Sequence, residues 1–94
     1  MLFLAHMQVN IPDTVPTERA DRLKADEKAL AQELQKSGKW RHLWRVAGQY
    51  ANYSVFDVES NDELHSLLMS LPLYPFMKIE ITALAQHPSA IAKN

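Results

Sequence analysis

Cysteine is absent from this chain and glycine occurs only twice. The first absence excludes disulfides, thiolate metal sites and thiol catalysis. The second leaves nothing from which to build a glycine-rich phosphate loop, so nucleotide binding is not expected. A formal net charge of -1 supplies no basic field to hold a nucleic-acid backbone. No apolar run approaches the ~20 residues of a membrane span. The opening MLFLAHMQVN is too short and too alternating for a secretory leader, and it lacks a basic start. The four histidines, His6, His42, His65 and His87, are scattered without an i, i+4 pair, which argues against a metal site. No serine or threonine lies in a recognisable nucleophile motif. These exclusions predict a soluble, cytoplasmic protein with neither nucleic acid nor membrane as a partner.

What is present is a chain of 94 residues, 47% of them hydrophobic. That length suits one domain with a thin core, and that composition leaves apolar surface for subunit contacts. The expected domain covers residues 1–94, with 1–84 as its core and 85–94 as a tail.

Leu2 to Asn10 alternates with the period of a half-buried strand. Two prolines make Ile11 to Pro16 a loop. Thr17 is then placed as an N-cap, with Glu18 and Asp21 favouring the positive end of a helix from about Glu18 to Ser37. Gly38 supplies the stop. Ala20, Leu23, Glu27, Leu30 and Leu34 follow one another at steps of three and four, so all five share a helix face. Four are apolar and the middle one is glutamate. A carboxylate on a buried face is costly unless something uses or pairs it, and Glu27 is the anomaly of the helix.

Trp40 to Val58 (WRHLWRVAGQYANYSVFDV) reads as a β-hairpin turning at Ala47-Gly48-Gln49. It crowds hydrogen-bonding groups among large apolar ones, as a small-molecule pocket does. On strict alternation Arg41, Leu43 and Arg45 share one face, and Trp40, His42 and Trp44 the other. Tyr50, Asn52 and Ser54 share a face of the second strand and could donate hydrogen bonds to a lactone or carboxylate. Asn52 and Ser54 are poor strand formers, which favours use over packing. A one-residue change in the loop reverses all these faces, so which one meets the helix stays open.

Ser60-Asn61-Asp62-Glu63 is a capping box. It opens a short helix striped by Leu64, Leu67, Leu68 and Leu71 and closed by Pro72. Leu73-Tyr74-Pro75-Phe76 is a stiff apolar loop, and Met77 to Leu84 alternates as a last strand. The order β-α-β-β-α-β predicts an α+β, ferredoxin-like βαββαβ fold, a four-stranded antiparallel sheet with both helices on one face. The other face needs a cover, and a second subunit is the expected one.

Glu27 then faces the hairpin. It reads either as a general acid/base tuned by burial and a cation such as Lys24 or a hairpin arginine, or as half of a buried structural ion pair. Arg41 and Arg45 read either as a fork for a substrate carboxylate or as edge charges in salt bridges.

The run Lys24-Ala25-Asp26-Glu27-Lys28, the stretch Leu34 to Arg45 with its Trp-Arg-His-Leu-Trp-Arg string, Gly48 to Val58, Leu71-Pro72-Leu73-Tyr74-Pro75 and His87-Pro88-Ser89 together resemble the muconolactone Δ-isomerase family. The resemblance covers nearly the whole chain. One departure is Gln49, where many members of that family carry histidine. The resemblance implies a homodecamer of ferredoxin-like subunits and an isomerase needing neither cofactor nor metal. It would convert muconolactone to 3-oxoadipate enol-lactone in the catechol branch of the β-ketoadipate pathway. On that implication Glu27 carries the proton, and Lys24 or one of Tyr50, Asn52 and Ser54 stabilises the dienolate. Arg41 or Arg45 holds the acetate arm, and Trp40 and Trp44 wall the ring. The weaker readings are a 5-chloromuconolactone dehalogenase, a non-catalytic oligomeric ferredoxin-like binding module, and a cofactor-free oxygenase.

Overall fold

A computed structural model describes residues 1–92. The first strand, β1 (Leu2–Val9), buries Phe3, Ala5 and Met7 on one side and leaves Leu4, His6 and Gln8 on the other. A proline-bearing loop leads to helix α1 (Thr17–Lys36). Thr17 is the first helical residue and not its cap. The Pro16 carbonyl accepts the first helical bond from Ala20 at 2.9 Å, which puts proline in the capping position without a side-chain cap. At the far end Ser37 and Gly38 close the last turn on Glu33 and Gln35, and Gly38 turns the chain at φ 86. Only glycine takes that left-handed conformation without strain.

Strands β2 (Trp40–Arg45) and β3 (Ala51–Asp57) form the expected hairpin. The turn spans residues 46–50, with Gly48 at φ 78, and closes through Val46 N–H to the Ala51 carbonyl at 3.0 Å. Tyr50 therefore belongs to the turn and not to the second strand. In β2 the register slips between Trp40, opposite Phe56, and His42, opposite Val55. Arg41 is the extra residue of this bulge, and a bulge reverses the alternation downstream of it. Trp40 thus shares the helix-facing side with Leu43 and Arg45, opposite Ser54 and Asn52, while His42 and Trp44 point the other way. The grouping expected from unbroken alternation is corrected accordingly.

Helix α2 (Asn61–Met69) starts at a working capping box: Ser60 Oγ accepts the Glu63 N–H at 3.1 Å. Glu63 reaches back one residue further than the motif requires, taking the Glu59 N–H at 3.1 Å. A 3-10 turn at Tyr74–Phe76 delivers the chain to β4 (Met77–Leu84). The sheet order is β2-β3-β1-β4, all antiparallel, as the ferredoxin-like reading expects. Phe3, Ala5, Met7 and Phe56 pack with Ala31 of α1 and Leu64, Leu67 and Leu68 of α2, so both helices cover one sheet face. Among the described residues no helix covers the opposite face. His6 stacks on Tyr53 there at 4.6 Å, and Trp44 beside them is 67% exposed. Beyond β4 the tail makes a turn about His87, whose carbonyl and Nδ1 accept the Ala90 and Ser89 amides; the last two residues of the expected tail lie outside the described residues.

Candidate active site

A cavity of about 490 Å³ opens between α1 and the hairpin. Ala31, Trp40, Leu43, Leu73 and Met77 give it apolar walls. Trp40 is almost fully buried and packs on Phe56 at 4.9 Å, and its indole Nε1 finds no hydrogen-bond partner among the described residues. The bulge at Arg41 brings Trp40 and Leu43 to this side of the sheet together.

Glu27 enters from the middle of α1, the position its helical spacing assigns it. It is half-buried, and its Oε1 accepts the backbone N–H of Leu73 at 2.9 Å. Burial pushes its carboxyl above the ordinary glutamate value, and the Leu73 amide partly opposes that rise. Among the described residues it makes no ion pair.

Cations gather at the rim instead. Lys24, one helical turn before Glu27, is exposed and lies 5.9 Å from the Tyr50 ring centre. Arg45 approaches the same ring at 5.3 Å and donates to the Gln49 carbonyl at 3.5 Å. That contact uses the backbone of Gln49, so it survives whichever side chain stands there. Arg45 and Asn52 are direct partners across β2 and β3, which sets a guanidinium beside a carboxamide on one wall. Positive charge at the mouth favours an anionic guest, and the apolar interior strengthens any charge interaction made inside.

Of the residues singled out in the sequence, Glu27, Lys24, Arg45, Trp40, Tyr50 and Asn52 line this cavity. Arg41, Trp44 and Ser54 do not. Arg41 sits on the bulge and pairs with Asp57 at 2.8 Å, away from the cavity. Trp44 is on the uncovered sheet face. Ser54 is fully buried behind the wall, its Oγ donating to Asn52 Oδ1 at 2.6 Å. Lys28, Gln32 and Gln35 also reach the cavity; the helical pattern alone reads Lys28 as an ordinary solvated charge and gives the two glutamines no role. Their steps of four and three from Lys28 mark one helix face next to Glu27, a signal that was available. Among the described residues, no three histidine, cysteine or carboxylate side chains come together as metal ligands, and no helix is long and apolar enough to cross a membrane.

Comparison with known proteins bears directly on this arrangement. A muconolactone isomerase crystal structure superposes with a TM-score of 0.94 at 56% identity, over 100% of this chain and 98% of that one. A dehydrochlorinase of 5-chloro-2-hydroxyhydroquinone from Burkholderia phenoliruptrix superposes with a TM-score of 0.62 at 19% identity, over 93% of this chain and 96% of that one; it shares the fold alone. Muconolactone Delta-isomerase 1 of Acinetobacter lwoffii is 64% identical over 97% of this chain and 95% of its own length. The Cupriavidus pinatubonensis muconolactone Delta-isomerase is 60% identical over 97% and 99%. The family model for muconolactone delta-isomerase matches residues 1–90. With fold, sequence and length all in agreement, the chain belongs to the muconolactone delta-isomerase family.

Proposed function

We propose that this protein isomerises muconolactone to 3-oxoadipate enol-lactone by a 1,3-proton shift with Glu27 as the proton carrier. One observation carries the reading: a half-buried carboxylate with a raised pKa, without a salt bridge among the described residues, set in an apolar cavity whose rim is positive. The reaction removes a proton from the ring carbon bearing the acetate arm and returns one to the carbon beside the lactone carbonyl. A single carboxylate held over one ring face serves both steps, as base and then as acid. Between them negative charge spreads onto the lactone carbonyl oxygen, and donors fixed near that oxygen stabilise the dienolate more than the substrate. Asn52 and Lys24 are the groups for that task, and Arg45 suits the free carboxylate of the acetate arm. Trp40 and Leu43 keep the ring in register and water out.

The reaction belongs to the catechol branch of the β-ketoadipate pathway, and we assign the protein to the cytoplasm, where such small metabolites are processed. The uncovered sheet face supports self-association, for which the family resemblance implies a homodecamer. The test is to mix the purified protein with muconolactone in deuterated buffer, following enol-lactone by ultraviolet absorbance and ring deuterium by NMR. Turnover by the wild type, lost roughly 100-fold or more in folded Glu27→Gln, is the expected result. Absence of turnover by the wild type overturns the assignment, and chloride release from a chlorinated lactone is then the next assay.

A further inference from the structure

Ser54 has no access to the cavity, yet it decides what one cavity wall presents. It sits on the helix-facing side of β3 between Ala5 of β1 and Leu43 of β2, and it is completely buried. A hydroxyl in such surroundings is costly unless its proton finds an acceptor. The acceptor the structure supplies is Asn52 Oδ1, at 2.6 Å, two residues away on the same strand face. A carboxamide has one accepting end and one donating end. With Oδ1 committed to Ser54, Nδ2 is the end of the Asn52 carboxamide left for the cavity that this residue lines. Reversing the amide would make Ser54 Oγ the acceptor and strand its own proton in the core, so the burial of Ser54 selects one of the two orientations.

We propose that Ser54 is a positioning residue for the isomerisation: it fixes the Asn52 carboxamide so that Nδ2 donates a hydrogen bond to the lactone oxygen on which negative charge develops. This rests on the isomerase reading and deepens it by naming the donor and the residue that aims it. A freely rotating asparagine would present its carbonyl oxygen to the same charge part of the time, and that face repels an oxyanion. A donor aligned before the reaction needs no reorientation during it, which is why fixed donors count for more than mobile ones.

The experiment is a double-mutant cycle on the full-length protein, with kcat and KM for muconolactone measured on wild type, Asn52→Ala, Ser54→Ala and the double variant. Asn52→Ala is expected to lower kcat by about 100-fold with KM moved less than about 3-fold, as for loss of one oxyanion donor. Ser54→Ala is expected to lower kcat by roughly 5- to 30-fold with the same small change in KM. Because Ser54 acts only through Asn52, the double variant is expected to be no slower than Asn52→Ala alone. Ser54→Cys, which keeps a weak donor, is expected to fall between serine and alanine and carries the cycle if the alanine variant does not fold. The acid limb of the pH profile, which belongs to Glu27, stays in place throughout. Losses that multiply in the double variant, or a Ser54→Ala effect confined to thermal stability, overturn the proposal while leaving the isomerase intact. A wild type without muconolactone turnover overturns both.

Discussion

The Glu27 carboxylate accepts the Leu73 backbone N–H at 2.9 Å, tying the middle of α1 to a loop 46 residues further along the chain. The bond serves both packing and chemistry, since it holds the loop that closes one cavity wall and fixes the carboxylate facing inward. Glutamine can accept the same N–H while carrying no charge. In Glu27→Gln the tie is therefore kept and the penalty of ionising a half-buried carboxyl is removed. The variant is expected to melt at or above the wild-type temperature near neutral pH, even as turnover falls roughly 100-fold or more. A clear drop in melting temperature would mean that the charge itself holds the fold together.

Burial raises the Glu27 pKa, and this fixes the sign of two pH dependences. A base must be ionised to accept a proton, so kcat/KM is expected to fall as pH drops through a midpoint above the ordinary glutamate value of 4.5. For stability the order is reversed. The folded state holds this proton more tightly than the unfolded chain, so the contribution of Glu27 is complete below the unfolded pKa and is lost as pH rises through the folded one. Thermal melts from pH 4 to 8 on wild type and Glu27→Gln isolate that contribution as their difference. A difference that grows in favour of the wild type toward neutral pH would contradict it.

Much of this architecture was legible because local rules and tertiary packing agree. The strands Leu2–Val9 and Met77–Leu84 and the three-four stripe through Glu27 stand as read, and the Ser60 half of the capping box is made. Alternating burial in the last strand holds from Met77 to Glu80 before the strand becomes exposed. The hairpin faces were not legible, for a specific reason. A single bulged residue, Arg41, rotates everything after it by one face, and nothing in the side-chain pattern WRHLWR distinguishes a bulged strand from a regular one. Ser54 was placed on the right strand, but its partner depends on rotamers that strand parity does not encode. Tyr50 shows a third limit: hairpin strands fade into their turn over one or two residues, so the turn proved longer than its glycine signal.

The two arginines of that string are expected to separate in kinetics. Arg45 lines the cavity, while Arg41 pairs with Asp57 on the outside. Arg45→Met is expected to raise KM for muconolactone about 10-fold or more by removing a counter-charge to the acetate arm, with Arg45→Lys restoring only part of the loss. Arg41→Met is expected to leave KM within about 2-fold and to cost ~1 kcal/mol or less of stability, as for exposed ion pairs. Equal effects of the two substitutions on KM would displace the carboxylate site from this wall.

The uncovered sheet face makes its own demand. Both helices lie on the other side, so Trp44, 67% exposed, and Tyr53, 44% exposed, stand together on the open surface beside the His6 ring. Aromatic side chains of this size bury roughly 150–250 Å² each when covered, and monomers seldom leave such a cluster in water. A second copy of the chain placed over it would leave the cavity clear, since the cavity opens on the helical side. Sedimentation of the wild type is therefore expected to give a species several times the 10.7 kDa chain mass. Trp44→Glu is expected to shift it toward smaller species while circular dichroism stays unchanged, because the substitution puts charge into the covered surface without touching the core. A wild type that sediments as a monomer at micromolar concentration, or a Trp44→Glu variant that assembles as before, would move the subunit contact to another surface.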